Sequence, residues 1–209
     1  MTKVGPFDKY VGRYDEWFER NRNAYQSELR AVGSLLPRRG TGIEIGVGTG
    51  RFAAPLGVPI GVEPSRAMAV VARPRGIRVV RAAAEALPFV DGAFDFTLMV
   101  TTLCFLDDVD VSLREAYRVL RCGGSLVVGL IDPRSPLGQW SERRKKESPF
   151  YREARFCSVE EVVSSMRSAG FRRFDFAQTI FQEVSSLRSP EAVRQGHGEG
   201  YFVVLKGAK

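Results

Sequence analysis

The sequence of 209 residues contains little histidine and cysteine, and it contains no long apolar run. His197 is the only histidine, and the three cysteines, Cys104, Cys122 and Cys157, form no Cys-x-x-Cys pair. This scarcity argues against a disulfide framework and against a structural zinc site. No stretch approaches the roughly 18 apolar residues of a membrane-spanning helix, and the first residues lack the apolar region of a secretory signal. We therefore expect a cytoplasmic protein that does not work in a membrane.

The composition that is present is typical of a folded chain with an excess of positive charge. Hydrophobic residues make up 44% of the sequence and charged residues 26%, which predicts one globular domain over 1–209. The net charge is +7, and the segment 134–155 holds seven basic and three acidic side chains. Runs of charge mostly form solvated surface, although such a segment would also suit an acidic substrate or a nucleic acid.

Hydrophobic periodicity indicates an alternation of strands and helices. Apolar positions near a period of 3.6 residues predict one long helix over 7–36, which ends at Pro37. Several later runs are apolar at nearly every position, which predicts an α/β fold whose parallel sheet is covered by helices on both faces. The predicted strands are 42–46, 59–63, 77–81, 94–100, 125–131, 174–181 and 201–206, and the further helices are 51–56, 65–72, 110–120 (ending at a Gly-Gly pair) and 158–169.

The pattern divides the chain into four segments: a helical cap over 1–39, a core over 40–131, an excursion without a clear period over 132–157, and a helix with strands over 158–209. Right-handed crossovers bring the loops that follow parallel strands to one edge of the sheet, where ligands bind. The glycine-rich turn after the first strand, the end of the second strand and the excursion are therefore expected to meet at this edge.

The glycine-rich turn carries the strongest signal. Glu44 to Gly50 read Glu-Ile-Gly-Val-Gly-Thr-Gly, after an apolar strand and before a helix. A dinucleotide site needs a third glycine one position later, where this chain has Arg51. Glu44 would repel a phosphate but would suit a cationic or amine-bearing ligand. The turn therefore favours a ligand other than a pyrophosphate.

A second acidic residue, Glu63, ends the next predicted strand, just before Pro64. A carboxylate at this position accepts hydrogen bonds from ribose hydroxyls in nucleotide-binding sheets. The glycine turn, the strand-end glutamate and the order of the strands together indicate a nucleoside cofactor.

Five segments in this order resemble the class I S-adenosylmethionine-dependent methyltransferases of the type 11, or UbiE-like, group. They are EIGVGTG at 44–50, GVEPSRAM at 61–68, AEALPF at 84–89, FDF at 94–96 and REAYRVLRCGG at 114–124. GEGYFVVLK at 198–206 resembles the last, antiparallel strand of that family. The resemblance implies a three-layer sandwich with a mostly parallel, seven-stranded Rossmann-like sheet, and S-adenosyl-L-methionine as the cofactor. It is close over 40–131 and says little about the substrate.

The resemblance also implies a role for individual residues. The turn of Gly46, Gly48 and Gly50 would pass under the methionine part of the cofactor, with Glu44 near its ammonium. Glu63, followed by Pro64, would hold the ribose. The adenine would contact Met68, Ala84 and Glu85, and the methionine side would be lined by Val100 and Thr101. The family often has an acidic residue where this chain has Ala83, so another group would have to accept the hydrogen bond of the adenine amino group.

The substrate pocket is expected under the N-terminal helix and the excursion, because both would cross the open edge of the sheet. Tyr14 and Trp17 of the helix and Trp140 of the excursion are predicted to line it, whereas Phe18 is predicted to be core. No triad is visible. His197 is the alternative candidate for a general base, since its pKa would suit that role.

The predicted function is methyl transfer to a small molecule by in-line displacement, in which proximity and exclusion of water supply most of the catalysis. A nucleic-acid or protein methyltransferase that uses the basic segment 134–155 is the alternative, although no Asn-Pro-Pro-Tyr motif for a flipped base is present. A cofactor-binding module without activity and a nicotinamide oxidoreductase are further alternatives.

Overall fold

The structure, a computed structural model, describes residues 4–209, which form one eight-stranded sheet with helices on both faces. The strands run in the order β3-β2-β1-β4-β5-β8-β6-β7. Strands β1 to β5 are parallel, and β8 is antiparallel to both of its neighbours. Their bounds are β1 Gly42–Ile45, β2 Ile60–Val62, β3 Arg78–Val80, β4 Phe94–Val100, β5 Leu120–Ile131, β6 Arg172–Thr179, β7 Arg194–Gln195 and β8 Phe202–Ala208.

The predicted mostly parallel sheet with an antiparallel last strand is confirmed, but the predicted number of seven strands is wrong. The additional strand, β7, consists of two exposed residues that pair antiparallel with the edge of β6. A strand of two residues has no detectable hydrophobic period, so the sequence pattern does not reveal it.

Eight α-helices are found in the described part of the chain. They are α1 Gly5–Lys9, α2 Val11–Arg20, α3 Arg22–Leu35, α4 Ala53–Leu56, α5 Arg66–Ala72, α6 Val109–Val119, α7 Pro136–Arg144 and α8 Val159–Ala169. Short 3-10 turns include Leu103–Phe105, Lys145–Glu147 and Tyr151–Glu153. None of the helices within residues 4–209 combines the length and the apolar character needed to cross a membrane.

The single helix predicted over 7–36 is wrong, because the chain breaks at Tyr10 and Asn21 into three helices. At the second break, the side-chain amide of Asn21 donates to the carbonyl oxygen of Trp17 over 3.0 Å, as the Asn21 backbone N–H also does. Asparagine side chains compete in this way with helical hydrogen bonds. The breaks allow α2 to cross the edge of the sheet while α3 packs on its face.

The predicted helix end at Gly123 and Gly124 is also wrong. Helix α6 ends at Val119 and β5 begins at once, so both glycines lie inside the strand. The pairing of β4 with β5 shifts register at this point, and Gly123 has a φ of +77°. A Cβ on Gly124 would lie 2.8 Å from the carbonyl oxygen of Asp95. The glycine pair therefore serves a β-bulge and does not terminate the helix.

The two faces of the central strands fill two separate cores. On β4, Leu98 and Val100 pack in the core that contains α3, whereas Met99 packs in the core that contains α6 and α8. This alternation follows the two-residue period of a strand, and burial on both faces explains the near-continuous apolar runs in the sequence. The carboxyl ends of the parallel strands are left free at one edge.

Candidate functional site

A cavity of about 570 Å³ opens at the carboxyl edge of the sheet, within the usual range for small-molecule sites. Its floor is formed by the residues that follow β1 and β2 and by the ends of β4 and β5. Its cover comes from α2, α3, α7 and the segment 145–156. The predicted meeting of the glycine turn, the end of the second strand and the excursion is therefore confirmed.

The glycine turn folds back on β2 through the backbone N–H groups of Gly46 and Val47, which both donate to the carbonyl oxygen of Val62. Gly46 and Gly48 line the cavity and have φ values of +74° and +53°, which glycine tolerates best. A Cβ on Gly48 would point toward Tyr14, 3.4 Å from its hydroxyl oxygen. Gly50 does not line the cavity, since a Cβ there would meet the Ile77 side chain at 2.4 Å.

Glu63 lies in the cavity wall, 7% exposed, and its carboxylate is held by backbone groups. Oε2 accepts a hydrogen bond of 2.8 Å from the N–H of Gly48, and Oε1 accepts one of 2.8 Å from the N–H of Ser65. Burial raises the pKa of Glu63, although these two hydrogen bonds oppose the rise. The carboxylate is thus oriented, and its remaining lone pairs are free to accept hydrogen bonds.

Glu44 lies beneath the turn and not in the cavity wall. It is 2% exposed, and its Oε2 atom has no hydrogen-bond partner among the described residues. Burial raises the pKa of Glu44 well above its ordinary value, against the effect of a hydrogen bond from the backbone of Ala53. An unpartnered buried carboxylate oxygen beside a ligand cavity fits a cationic group on that ligand.

An apolar wall extends from Glu63 and would suit a flat ring. Pro64, Met68 and Ala84 line it, whereas Glu85 does not. The Glu85 carboxylate instead accepts a hydrogen bond of 3.1 Å from the N–H of Asp107 and so supports the loop before α6. The adenine contact predicted for Glu85 would therefore have to come from its backbone.

The end of β4 crosses the middle of the cavity. Val100, Thr101 and Thr102 all line it. Thr101 has a φ of +50°, a value that is rare for a β-branched residue, and its N–H donates to the carbonyl oxygen of Gly129 over 2.8 Å. Strained backbone of this kind is concentrated at functional sites.

An ion-pair cluster that the sequence analysis missed fastens α2 over the turn. The Asp15 carboxylate accepts hydrogen bonds from Arg51, at 2.8 and 2.5 Å, and from Arg75, at 2.9 and 2.8 Å. Arg75 also donates to the carbonyl oxygen of Thr49 in the turn. Burial raises the pKa of Asp15, but the two guanidinium groups outweigh it and hold that pKa far below its ordinary value. In the sequence, Arg51 is notable only because it occupies the position of the third glycine of a dinucleotide motif. In the structure it holds α2 over the turn through Asp15.

The part of the cavity under the cap has aromatic walls, and Tyr14 stands between this part and Glu63, because it covers Gly48. Tyr14, Trp17 and Trp140 all line the cavity, and the two tryptophans stand at its mouth with 38% and 50% of their surface exposed. Ring centroids lie 5.4 Å apart for Tyr14 and Phe18 and 5.8 Å apart for Tyr14 and Phe150. Phe18 is buried, as predicted, and also lines the cavity.

Glu28 on α3 is one of several cavity residues that the sequence does not predict. It is 6% exposed and lines the cavity. Burial raises its pKa to about 8. A signal was present, because Ala24, Ala31 and Val32 mark the buried face of this helix, and Glu28 lies one turn from Ala24 and from Val32 on the same face.

Two other candidates lie away from the cavity. His197 is exposed, and its ring stands 4.9 Å from that of Phe176 at the far edge of the sheet. The hypothesis of a His197 base therefore has no support in this geometry. Cys104 is buried and lines a separate small hole beneath the Leu103–Phe105 turn.

Comparisons with known proteins agree with this site. A family model described as a methyltransferase domain matches residues 43–128. The structure of a Thermotoga maritima protein, described as an S-adenosylmethionine-dependent methyltransferase and possible histamine N-methyltransferase, is 52% identical, with a TM-score of 0.96 over 99% of each chain. An uncharacterised protein of Methanocaldococcus jannaschii is 44% identical over 97% of this chain and 98% of its own length. A ubiquinone/menaquinone biosynthesis C-methyltransferase of Hahella chejuensis is 50% identical over 52 residues, 25% of this chain and 21% of that protein.

Proposed function

Because the chain belongs to the class I S-adenosylmethionine-dependent methyltransferases, we propose that its acceptor is a small molecule held in the aromatic half of the cavity. The observation that carries this proposal is the enclosure of that half by Tyr14, Phe18 and Phe150 under the cap. A site of about 570 Å³ that contains both the glycine turn and this aromatic half suits a cofactor next to a metabolite-sized acceptor. The Thermotoga maritima protein is described as a possible histamine N-methyltransferase, and histamine is a small molecule.

The residues present fit the cofactor of the family, S-adenosyl-L-methionine. Glu63 offers an oriented carboxylate for the ribose hydroxyls, and Met68 offers an apolar surface for the adenine. Gly48 offers backbone that a side chain would obstruct, and the orphaned carboxylate oxygen of Glu44 suits the ammonium. When bound, the cofactor supplies a methyl group on a positively charged sulfur, which makes the transfer favourable.

The protein then aligns the reacting groups and excludes water from the cavity. The ion pairs of Asp15 keep α2 over the turn, and Tyr14 covers Gly48. Aromatic rings around a cavity exclude water and attract a cation through their π-faces. Holding a nucleophile in line under this cover supplies a large part of the rate acceleration.

The basic segment 134–155 gives little support to a nucleic-acid acceptor. Arg134, Arg144 and Lys145 pair with Glu160, Glu147 and Glu142. Lys145 also donates to the carbonyl oxygen of Ala154 over 3.0 Å. Three of the seven basic side chains of this segment are therefore paired within the protein, which reduces the positive charge available to a phosphate-binding face.

The test is methyl transfer from labelled S-adenosylmethionine to a metabolite extract, to total RNA and to a protein extract, measured in parallel. We expect the labelled methyl group in a product of the small-molecule fraction. S-adenosylhomocysteine, the second product, carries no label. Label found only in RNA or protein would contradict the proposed acceptor class. Binding of NAD without binding of S-adenosylhomocysteine in a thermal-shift assay would contradict the cofactor.

A further inference from the structure

The environment of Glu28 is unusual for an ionisable side chain. It stands on the buried face of α3, where Ala31 and Val32 have no exposed surface. Within residues 4–209 its carboxylate has no hydrogen-bond or ion-pair partner, and the residue lines the cavity. A buried carboxylate without a partner is unfavourable, and such groups are typical of functional sites.

Glu28 belongs to the half of the cavity that the cofactor residues do not occupy. Helix α3 packs against β5, β6 and β8, whereas Glu63 and Met68 follow β2, at the other side of β1 and β4. Tyr14, Tyr151 and Tyr201, which are partly buried, line the same cavity as Glu28. Burial is the main cause of their raised pKa values, and the charge of Glu28 is a smaller one, so the carboxylate lies within electrostatic range of all three.

Within residues 4–209 no cation pairs with this carboxylate. Four basic side chains line the cavity, and three of them have other partners: Lys145 pairs with Glu142, Arg144 with Glu147 and Arg20 with Glu16. The fourth, Arg13, is exposed on α2. The hydroxyl of Tyr201 receives a hydrogen bond of 3.1 Å from Ser141. A positive charge that pairs with the ionised form of Glu28 would therefore come from a ligand.

We propose that Glu28 binds the protonated amino group of the acceptor and takes one of its protons, so that the substrate class is an amine. The proposal rests on the proposed function, since it concerns the same cavity. In the free protein Glu28 holds a proton at neutral pH, and this proton passes to solvent as the ammonium enters. One N–H bond of the ammonium then breaks and an O–H bond forms on the ionised Glu28, which leaves a neutral amine with a free electron pair. That pair forms the new N–CH₃ bond as the methyl–sulfur bond breaks and its electrons stay on sulfur. The proton on Glu28 passes to solvent when the methylated ammonium leaves.

The surroundings suit both steps. Tyr14, Phe18 and Phe150 line the cavity, and aromatic rings attract an ammonium without removing its protons. The raised pKa of Glu28, about 8, is closer to that of an alkylamine, about 10, than an ordinary carboxyl pKa would be. Proton transfer to a base with a matched pKa is easier than transfer to an ordinary carboxylate.

The first experiment measures binding and not turnover. Calorimetry measures the binding of three amines, histamine, tyramine and phenethylamine, to the complex of the protein with S-adenosylhomocysteine. Each amine is compared with the alcohol in which a hydroxyl group replaces the amino group. We expect at least one amine to bind at least tenfold more tightly than its alcohol, and Glu28→Gln to remove this preference. Glu28→Asp, which keeps the charge at a shorter reach, should retain part of it, and Glu183→Gln on the exposed surface should retain all of it. Equal binding of amines and alcohols, or a preference that survives Glu28→Gln, would overturn the proposal, as would a panel in which no amine binds.

Affinity for S-adenosylhomocysteine shows that each variant is folded, and we expect Glu28→Gln to match the wild-type protein within about threefold. Failure of this proposal is distinguishable from failure of the proposed function. A labelled product that is small but contains no amine would refute the role of Glu28 and leave a small-molecule methyltransferase. Label confined to macromolecules would refute both.

Discussion

The backbone N–H of Gly48 donates a hydrogen bond of 2.8 Å to Oε2 of Glu63, so the glycine turn after β1 and the acidic residue after β2 hold each other in position. The second oxygen of Glu63 accepts from the N–H of Ser65, just before α5. Three separate segments are thereby fixed around one carboxylate. Such preorganisation lowers the entropic penalty of ligand binding.

Replacement of Glu63 tests this arrangement. Glu63→Ala should weaken S-adenosylhomocysteine binding by about tenfold or more, because hydrogen bonds to a charged acceptor are worth up to about 1.5–3 kcal/mol each. Isothermal titration calorimetry measures the change. Glu85→Ala is the control, because that side chain points to Asp107 and away from the cavity, and it should change the affinity less than threefold. An unchanged affinity in Glu63→Ala would contradict the placement of the ribose.

Gly48 offers a test with a matched glycine elsewhere in the chain. Gly48 and Gly57 both have positive φ, +53° and +70°, but only a Cβ on Gly48 would enter the cavity, whereas one on Gly57 would have no neighbour within 4 Å. Alanine at either position should destabilise the protein by a similar amount, about 1–2 kcal/mol, through backbone strain. Only Gly48→Ala should also weaken S-adenosylhomocysteine binding, by tenfold or more. Equal affinities in the two variants would show that the turn does not face the cofactor.

The sequence predicted the features that depend on local chemistry. The strand at Phe94–Val100 was placed at its observed bounds because both of its faces are buried and every position is constrained. Ser65 and Ser158 stand at the start of the predicted helices 65–72 and 158–169, a place typical of an N-cap serine, and both side chains accept the backbone hydrogen bonds of a helix N-cap. These signals lie within a few residues of one another in the chain.

The features that the sequence did not predict depend on distant contacts. The helix break at Asn21 preserves the apolar period across the break, so periodicity alone does not locate it. Asp15 and Arg75 look like surface charges until the fold brings them together. Glu28 shares a helix face with the apolar residues Ala24 and Val32, but only the packing of α3 against β5, β6 and β8 shows that the glutamate itself is buried.

Loosening the cap should lower the stability of the protein. Asp15→Asn removes the charge that pairs with Arg51 and Arg75 and should lower the free energy of unfolding at pH 7 by about 1–3 kcal/mol, the usual effect of a lost charge-assisted hydrogen bond. Glu19→Gln is the control, because Glu19 meets only the outer side of Arg51 and is 67% exposed, so its effect should stay below about 1 kcal/mol. Chemical denaturation measures both.

The same variant should show a characteristic pH dependence. The pKa of Asp15 is lower in the folded protein than in the unfolded chain, so the folded state binds fewer protons around the ordinary aspartate pKa. Its stabilising effect is therefore complete above the unfolded pKa and is lost as the pH falls toward the folded value. The stability difference between wild type and Asp15→Asn should shrink as the pH is lowered from 6 to 3. A difference that is constant over this range would mean that the ion pairs do not stabilise the cap.

Glu28 should give the opposite pH dependence, measured in the absence of any ligand. Burial raises its pKa from 4.5 to about 8, so between these values the folded protein binds a proton that the unfolded chain has lost. Stability must then fall as the pH rises from about 4.5 to 8, by about 1.4 kcal/mol per unit of pKa shift as an upper limit. The glutamine of Glu28→Gln does not ionise, so this variant should have a higher melting temperature than wild type at pH 8.5. The difference should be smaller at pH 5. Glu183→Gln should show no such trend. A residue with a purely stabilising role would not behave in this way. A Glu28→Gln protein that is more stable than wild type at high pH and yet binds amines less tightly would show that Glu28 serves ligand binding.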